Sequence, residues 1–165
     1  MDNPQERLVS REYVAGLITG EGWFGLTVQK TPGLKTKNGF TLRPRFCIQM
    51  NDLETMDILA NSWKSFGLPL YLIPTSKGIR LEVAGVKRVS RVVEEFLPLL
   101  TGRKKMAASI VKEYIDLRLQ KPQNSPYGKE EFDLVNRLRN GANDGNGKRL
   151  LLSSETLCRI SPTGG

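Results

Sequence analysis

Apolar residues along the chain fall alternately at helical and strand spacings. Ser10 is a good N-cap ahead of Arg11, Glu12, Tyr13 and the small apolar run VAGLI, which predicts a helix over about Arg11–Thr19. Gly20-Glu21-Gly22 places two glycines in three residues and is expected to end that helix. The stretch WFGLTVQK then reads as a strand, with Leu26 and Val28 on one face and Thr27 and Gln29 on the other. TPGLKTKNG is loop chemistry. A second strand follows over about Thr41–Met50, where Leu42, Phe46, Ile48 and Met50 alternate with Arg43, Arg45, Cys47 and Gln49. Pro44 is expected to interrupt its phase.

Asn51 or Asp52 can cap a helix that places Leu53, Met56, Leu59, Ala60 and Trp63 on one side and ends at Gly67. Two short strands, about Leu70–Ile73 and Ile79–Val83, flank PTSKG. Helices are predicted over about Val86–Leu99, with a stop or kink at Pro98, then from Gly102 to about Leu119, over Glu130–Arg139 and from Ser153. Asn140–Arg149 is a basic loop rich in glycine and asparagine. The order is α-β-β-α-β-β-α followed by three more helices. Hairpin connections imply a four-stranded antiparallel sheet, and helices on one of its faces make an α+β domain. The uncovered face would carry Thr27, Gln29, Arg43, Arg45, Gln49, Arg80 and Glu82.

Composition narrows the function. The 165 residues suit a single domain, with a core over about 10–120 and a helical extension over about 121–165. There is no histidine, which excludes a Ser-His-Asp or Cys-His triad, His-ligated metals and imidazole acid–base chemistry. Cys47 and Cys158 are too few for a disulfide framework or a zinc site. No apolar run approaches the ~20 residues of a membrane span, and the polar N-terminus carries no recognisable targeting signal. Against 17 acidic residues stand 25 lysines and arginines, a net charge of +8 that points to nucleic acid as partner, with a merely basic soluble protein or one that binds acidic lipid as the alternatives.

The stretch Val14-Ala15-Gly16-Leu17-Ile18-Thr19-Gly20-Glu21-Gly22 resembles the LAGLIDADG motif of homing endonucleases. Ala15, Gly16, Leu17, Ile18 and Gly22 match, Val14 stands for Leu, and Glu21 stands for the second Asp. The strand that follows, the Pro44–Gly67 segment, the Leu-Pro-Leu-Leu run before Arg103 and the final SSETLCRI are also family-like, so the resemblance covers about Ser10–Ile160. Only one copy of the motif is present, as in the homodimeric members. Gly16 and Gly20 share one helix face and would let a second copy of the helix approach closely, with Ala15 and Thr19 alongside.

The resemblance implies metal-dependent cutting of both strands of a long pseudo-palindromic DNA site. Glu21 from each subunit, with Gly20 beside it, would hold Mg²⁺ or Mn²⁺, and Ca²⁺ would bind without supporting cleavage. Taken alone, Glu21 would read as an exposed turn carboxylate. The resemblance also implies a polar residue near the end of the second strand. Alignment gives Asn51, with Gln49 second, and Asn51 is equally readable as a helix cap. It further implies a basic residue near the scissile phosphate, which alignment on Pro98 places at Arg103, with Lys104 and Lys105 next.

For DNA contact the candidates are Thr27, Gln29, Lys30, Arg43, Arg45, Gln49, Tyr71 and Arg80 on the sheet, and Lys35 and Lys37 in the loop. Lys148 and Arg149, ahead of Ser153, complete the set as phosphate clamps. Each is also readable as a solvated surface group. Thr19 in place of the family's first Asp is the largest departure. An intron RNA-binding maturase and a non-cleaving DNA-binding protein on the same fold are the alternatives, and both leave Glu21 without a task. Members of the family are usually encoded within introns, which fits synthesis of the protein where it acts.

Overall fold

The structure is a computed structural model and describes residues 7–30 and 39–142. Its elements run α1 (Arg11–Glu21), β1 (Gly22–Lys30), β2 (Phe40–Met50), α2 (Leu53–Ser65), β3 (Tyr71–Thr75), β4 (Gly78–Ala84), α3 (Val86–Phe96), α4 (Gly102–Leu119) and α5 (Lys129–Arg137). A 3₁₀ turn, Leu97–Leu99, carries Pro98 between α3 and α4. The four strands form one antiparallel sheet in the order β1-β2-β4-β3. This is the α+β architecture the sequence predicts.

Two local expectations are corrected. α1 does not stop at Thr19 but runs on to Glu21. One helical glycine costs only about 1 kcal/mol, and the Gly22 N–H still reaches the Ile18 carbonyl before the chain passes straight into β1. Glu21 therefore ends a helix and is not part of a turn. Pro44 does not disturb β2, whose burial alternates without a break from Phe40 to Met50. The β2–β4 ladder ends at Arg45 opposite Ala84, and the Pro44 carbonyl accepts from Gly85 N–H at the turn beyond it. A missing donor at that position costs no ladder bond.

The helices cover one sheet face. Phe24, Leu42, Phe46, Ile48, Leu81 and Val83 point into them and are nearly or fully buried. An aromatic column joins sheet to helices: Phe24 to Phe46 at 4.8 Å, Phe46 to Trp63 at 5.3 Å, Trp63 to Phe96 at 5.2 Å. Tyr127, Phe132, Leu134 and Leu138 belong to the same hydrophobic cluster as Val14, so the segment around α5 completes the core.

That segment is fastened by polar groups. Leu42 N–H donates to the Tyr127 hydroxyl at 3.0 Å, and Tyr114 donates to the Leu42 carbonyl at 2.7 Å. Burial pushes the Tyr114 phenol far up. Glu131, fully buried, accepts from Arg118 at 3.0 Å, Lys121 at 2.7 Å and Gly128 N–H at 2.8 Å. Burial works to raise its carboxyl, but these hydrogen bonds prevail and hold it below the usual range. Glu131→Gln leaves Arg118 buried without its counter-charge, and is expected to cost about 3 kcal/mol in denaturant unfolding at pH 7. Because the folded-state value is lowered, the wild-type advantage is complete above the unfolded value of about 4.3 and shrinks as pH falls below it. An advantage that persists undiminished in acid would contradict this.

Candidate functional site

Glu21, Gln49 and Asn51 line one pocket of about 240 Å³, together with Leu17, Met50, Asp52 and Thr55. Register brings them there. Gly22 faces Ile48 across β1–β2, so the end of α1 lies beside the end of β2. Gly78 approaches the backbone of Met50 and Asn51 closely at the end of β2. Its φ of 124° is in the region that suits glycine, and a Cβ there would fall 2.1 Å from the Met50 carbonyl oxygen.

The two readings of Asn51 separate here. Asp52, and not Asn51, caps α2: its Oδ1 accepts from Glu54 N–H at 3.1 Å and Thr55 N–H at 3.4 Å, and its Oδ2 from the Thr55 hydroxyl at 2.7 Å. These bonds hold the Asp52 carboxyl below its ordinary range, the Thr55 hydroxyl contributing most. Asn51 is exposed and free of the capping task. Gln49 faces Arg80 across β2–β4, and its Oε1 accepts from the guanidinium at 3.4 Å, which leaves the Nε2 amino group as its remaining donor.

Among the two leading basic candidates, Lys104 makes the contact with this region. Its Nζ donates to the carbonyl of Gly22, the residue after Glu21. Arg103 is exposed in the first turn of α4 and does not line the pocket. Cys47, on the same sheet face, has its thiol pushed up by burial, against the pull of Arg80, Arg45 and Lys104.

Donor chemistry decides what the pocket can hold. It offers oxygen from the Glu21 carboxylate and the Asn51 amide, while the Asp52 carboxylate is engaged in capping α2 and the Gln49 oxygen is taken by Arg80; the terminal carbonyls of α1 lie beside it. No basic residue sits in the last turn of α1, whose C-terminal end is the negative pole of the helix. This set suits a hard divalent cation that keeps part of its water shell. A single chain falls short of a full site: no cluster of three or more His, Cys, Asp or Glu exists among the described residues.

The α1 face above the pocket is open. Val14, Ala15 and Ile18 are buried against the chain's own core, while Tyr13, Gly16 and Gly20 are exposed. A Cβ on either glycine would meet nothing within 4 Å among the described residues. Ala15 is corrected as an interface residue, since its methyl is already covered at 2% exposure. Thr19 is half-buried at the edge of the open strip.

The uncovered sheet face is basic. Thr27, Gln29, Arg43, Arg45 and Tyr71 line a groove of about 510 Å³. The Thr27 hydroxyl donates to the Arg43 carbonyl at 3.3 Å and keeps its acceptor capacity. Lys30 is exposed at the end of β1, and Arg80 links this face to Gln49. Lys35, Lys37, Lys148, Arg149, Ser153 and the helix expected from Ser153 lie outside the described residues.

Three features of this face go beyond the reading of the sequence, which placed Glu82 on it but not its burial. Glu82 is buried in this face, Arg88 of α3 reaches it with its guanidinium 5.8 Å from the Tyr71 ring, and Trp23 covers Gly25. A Cβ on Gly25 would stand 2.2 Å from the Trp23 ring, so the indole rests on bare backbone beside Arg45, which faces Gly25. Gly25, two residues on and on the same face of the strand, is the sequence signal that could have found this packing.

No helix among the described residues is long and apolar enough to cross a membrane. The sequence matches no protein-family model, and no curated protein matches it either. Solved structures do resemble it. The homing endonuclease I-TnaI is 21% identical, with a TM-score of 0.69 over 97% of this chain and 99% of its own. I-CvuI, solved with an uncleaved DNA target in the presence of Mg, is 15% identical with a TM-score of 0.65 over 91% of this chain and 90% of its own. The LAGLIDADG homing endonuclease I-SmaMI, solved on cleaved DNA, is 20% identical with a TM-score of 0.66, and the match covers 92% of this chain but 48% of I-SmaMI. The chain has the fold of the LAGLIDADG homing endonucleases.

Proposed function

We propose that the protein is a sequence-specific DNA endonuclease that works as a homodimer and makes a metal-dependent double-strand break. The observation that carries this reading is the pocket that gathers Glu21, Gln49 and Asn51 between the open glycine face of α1 and the basic sheet. Pairing two copies through Gly16 and Gly20 brings two such pockets, and two Glu21 carboxylates, to one axis. The sheets of the two copies would then lie along one duplex on either side of it.

Within that arrangement each residue has a task. Glu21 and the Gly20 carbonyl are the groups that would hold Mg²⁺ or Mn²⁺, which supplies charge to activate water and to stabilise the leaving oxygen. Asn51, and the Nε2 group of Gln49, orient water in the pocket. Lys104 fixes the α1–β1 junction through Gly22, and Arg103, one residue earlier in the first turn of α4, is the candidate for a phosphate contact. Arg43, Arg45, Gln29 and Tyr71 meet bases and backbone in the groove. Lys35, Lys37, Lys148 and Arg149 extend the phosphate contacts in this reading.

Selection of bound duplexes from a randomised DNA library tests the binding half. The expected result is one long site with two-fold related halves. Recovery without sequence preference, or without two-fold relation, would overturn it.

A further inference from the structure

We propose that Glu82 is a specificity-determining residue that holds Arg45 ready to read one base pair in each half of the DNA site. The inference rests on the DNA-binding reading above.

Glu82 is an anomaly on this face. It is the acidic residue among the groups lining the groove, where Arg43, Arg45 and Arg88 also stand. It is 6% exposed, and its Oε1 is shut off from solvent. Its neighbour is the Arg45 guanidinium, in ion-pair contact. A buried carboxylate is costly to desolvate, and here it also repels the polyanion that the face is built to accept. Packing alone does not require that charge, since glutamine would fill the same space.

The geometry gives the charge a use. Glu82 faces Cys47 on β2 and Tyr71 on β3, so it stands one diagonal step from Arg45, which faces Ala84. The small Ala84 leaves room for the guanidinium to lie toward Glu82. A free arginine at a DNA surface swings to the nearest phosphate, which adds affinity and reads nothing. With one side of its guanidinium held by Glu82, Arg45 keeps a fixed direction and a free donor edge. Such an edge matches the O6 and N7 acceptors of guanine in the major groove. Affinity for DNA in general is traded for discrimination at one position.

The test repeats the library selection with the full chain as wild type, E82Q and R45A. The expected wild-type profile prefers guanine at one two-fold related pair of positions. In E82Q that preference falls by about tenfold while the other positions keep theirs, and binding to unrelated DNA at low salt rises severalfold. R45A is expected to lose the same pair of positions. The inference is overturned if the E82Q profile is unchanged, if it weakens evenly at every position, or if E82Q and R45A affect different positions. A wild type without any sequence preference would overturn the DNA-binding reading itself, an outcome distinct from these.

Discussion

Glu21→Gln is expected to bind DNA with wild-type affinity and to cut it at least about a thousandfold more slowly. Glu21 is the exposed last residue of α1, and among the described residues it makes no ion pair or hydrogen bond. Its removal therefore disturbs nothing that holds the fold, and stability should stay within about 0.5 kcal/mol. Glutamine keeps the shape and loses the charge that a cation needs. Single-turnover cleavage, run beside a binding titration, separates the two effects. A variant that cuts at the wild-type rate would remove Glu21 from the chemistry. A variant that loses binding and cutting together would make it a structural residue.

Gly16→Leu is expected to leave the isolated domain folded and to break its self-association. Two glycines within the 11 residues of α1 cost it about 2 kcal/mol relative to alanine. Nothing among the described residues needs them small, because a side chain on either would meet none of them within 4 Å. The close approach of a second copy does need them small. Overpacking by leucine costs roughly 1–3 kcal/mol at each subunit, and a two-fold axis counts it twice. A total of about 3 kcal/mol weakens the dimer about 150-fold. Sedimentation would show this shift, thermal unfolding of the monomer would be unchanged or raised, and cutting would fall with the dimer. Unaltered association would place the interface elsewhere.

Much of this arrangement was legible in the sequence because it is local. Ser10 caps α1 as its position promised, its hydroxyl accepting from Tyr13 N–H at 3.1 Å. The alternation in β2 named both its buried and its basic face. Gly102–Leu119 begins and ends as the pattern indicated. The pocket residues Glu21, Gln49 and Asn51 followed from the motif and from the end of a strand.

The misses share a cause, which is that they depend on how strands register or helices dock. Whether Glu82 is buried depends on its facing Cys47 and Tyr71 and on its ion pair with Arg45, none of which a run of residues reveals. Lys104, and not its neighbour Arg103, reaches Gly22 because of where the first turn of α4 points. Ala15 sits beside Gly16 in the motif, yet 100° of helical turn separates them and sends its methyl inward. Arg88 comes to the groove only through the packing of α3 on β2 and β4, from which its guanidinium reaches the Tyr71 ring.

The central claim is that each chain carries half of a metal-dependent site for cutting DNA. Sequencing the ends that wild-type protein produces on the duplex selected from the library, in Mg²⁺ and in EDTA, tests it most directly. The account predicts a break in each strand at two-fold related positions in Mg²⁺ and none in EDTA. Tight binding of that duplex with both strands intact in Mg²⁺ and in Mn²⁺ would contradict it.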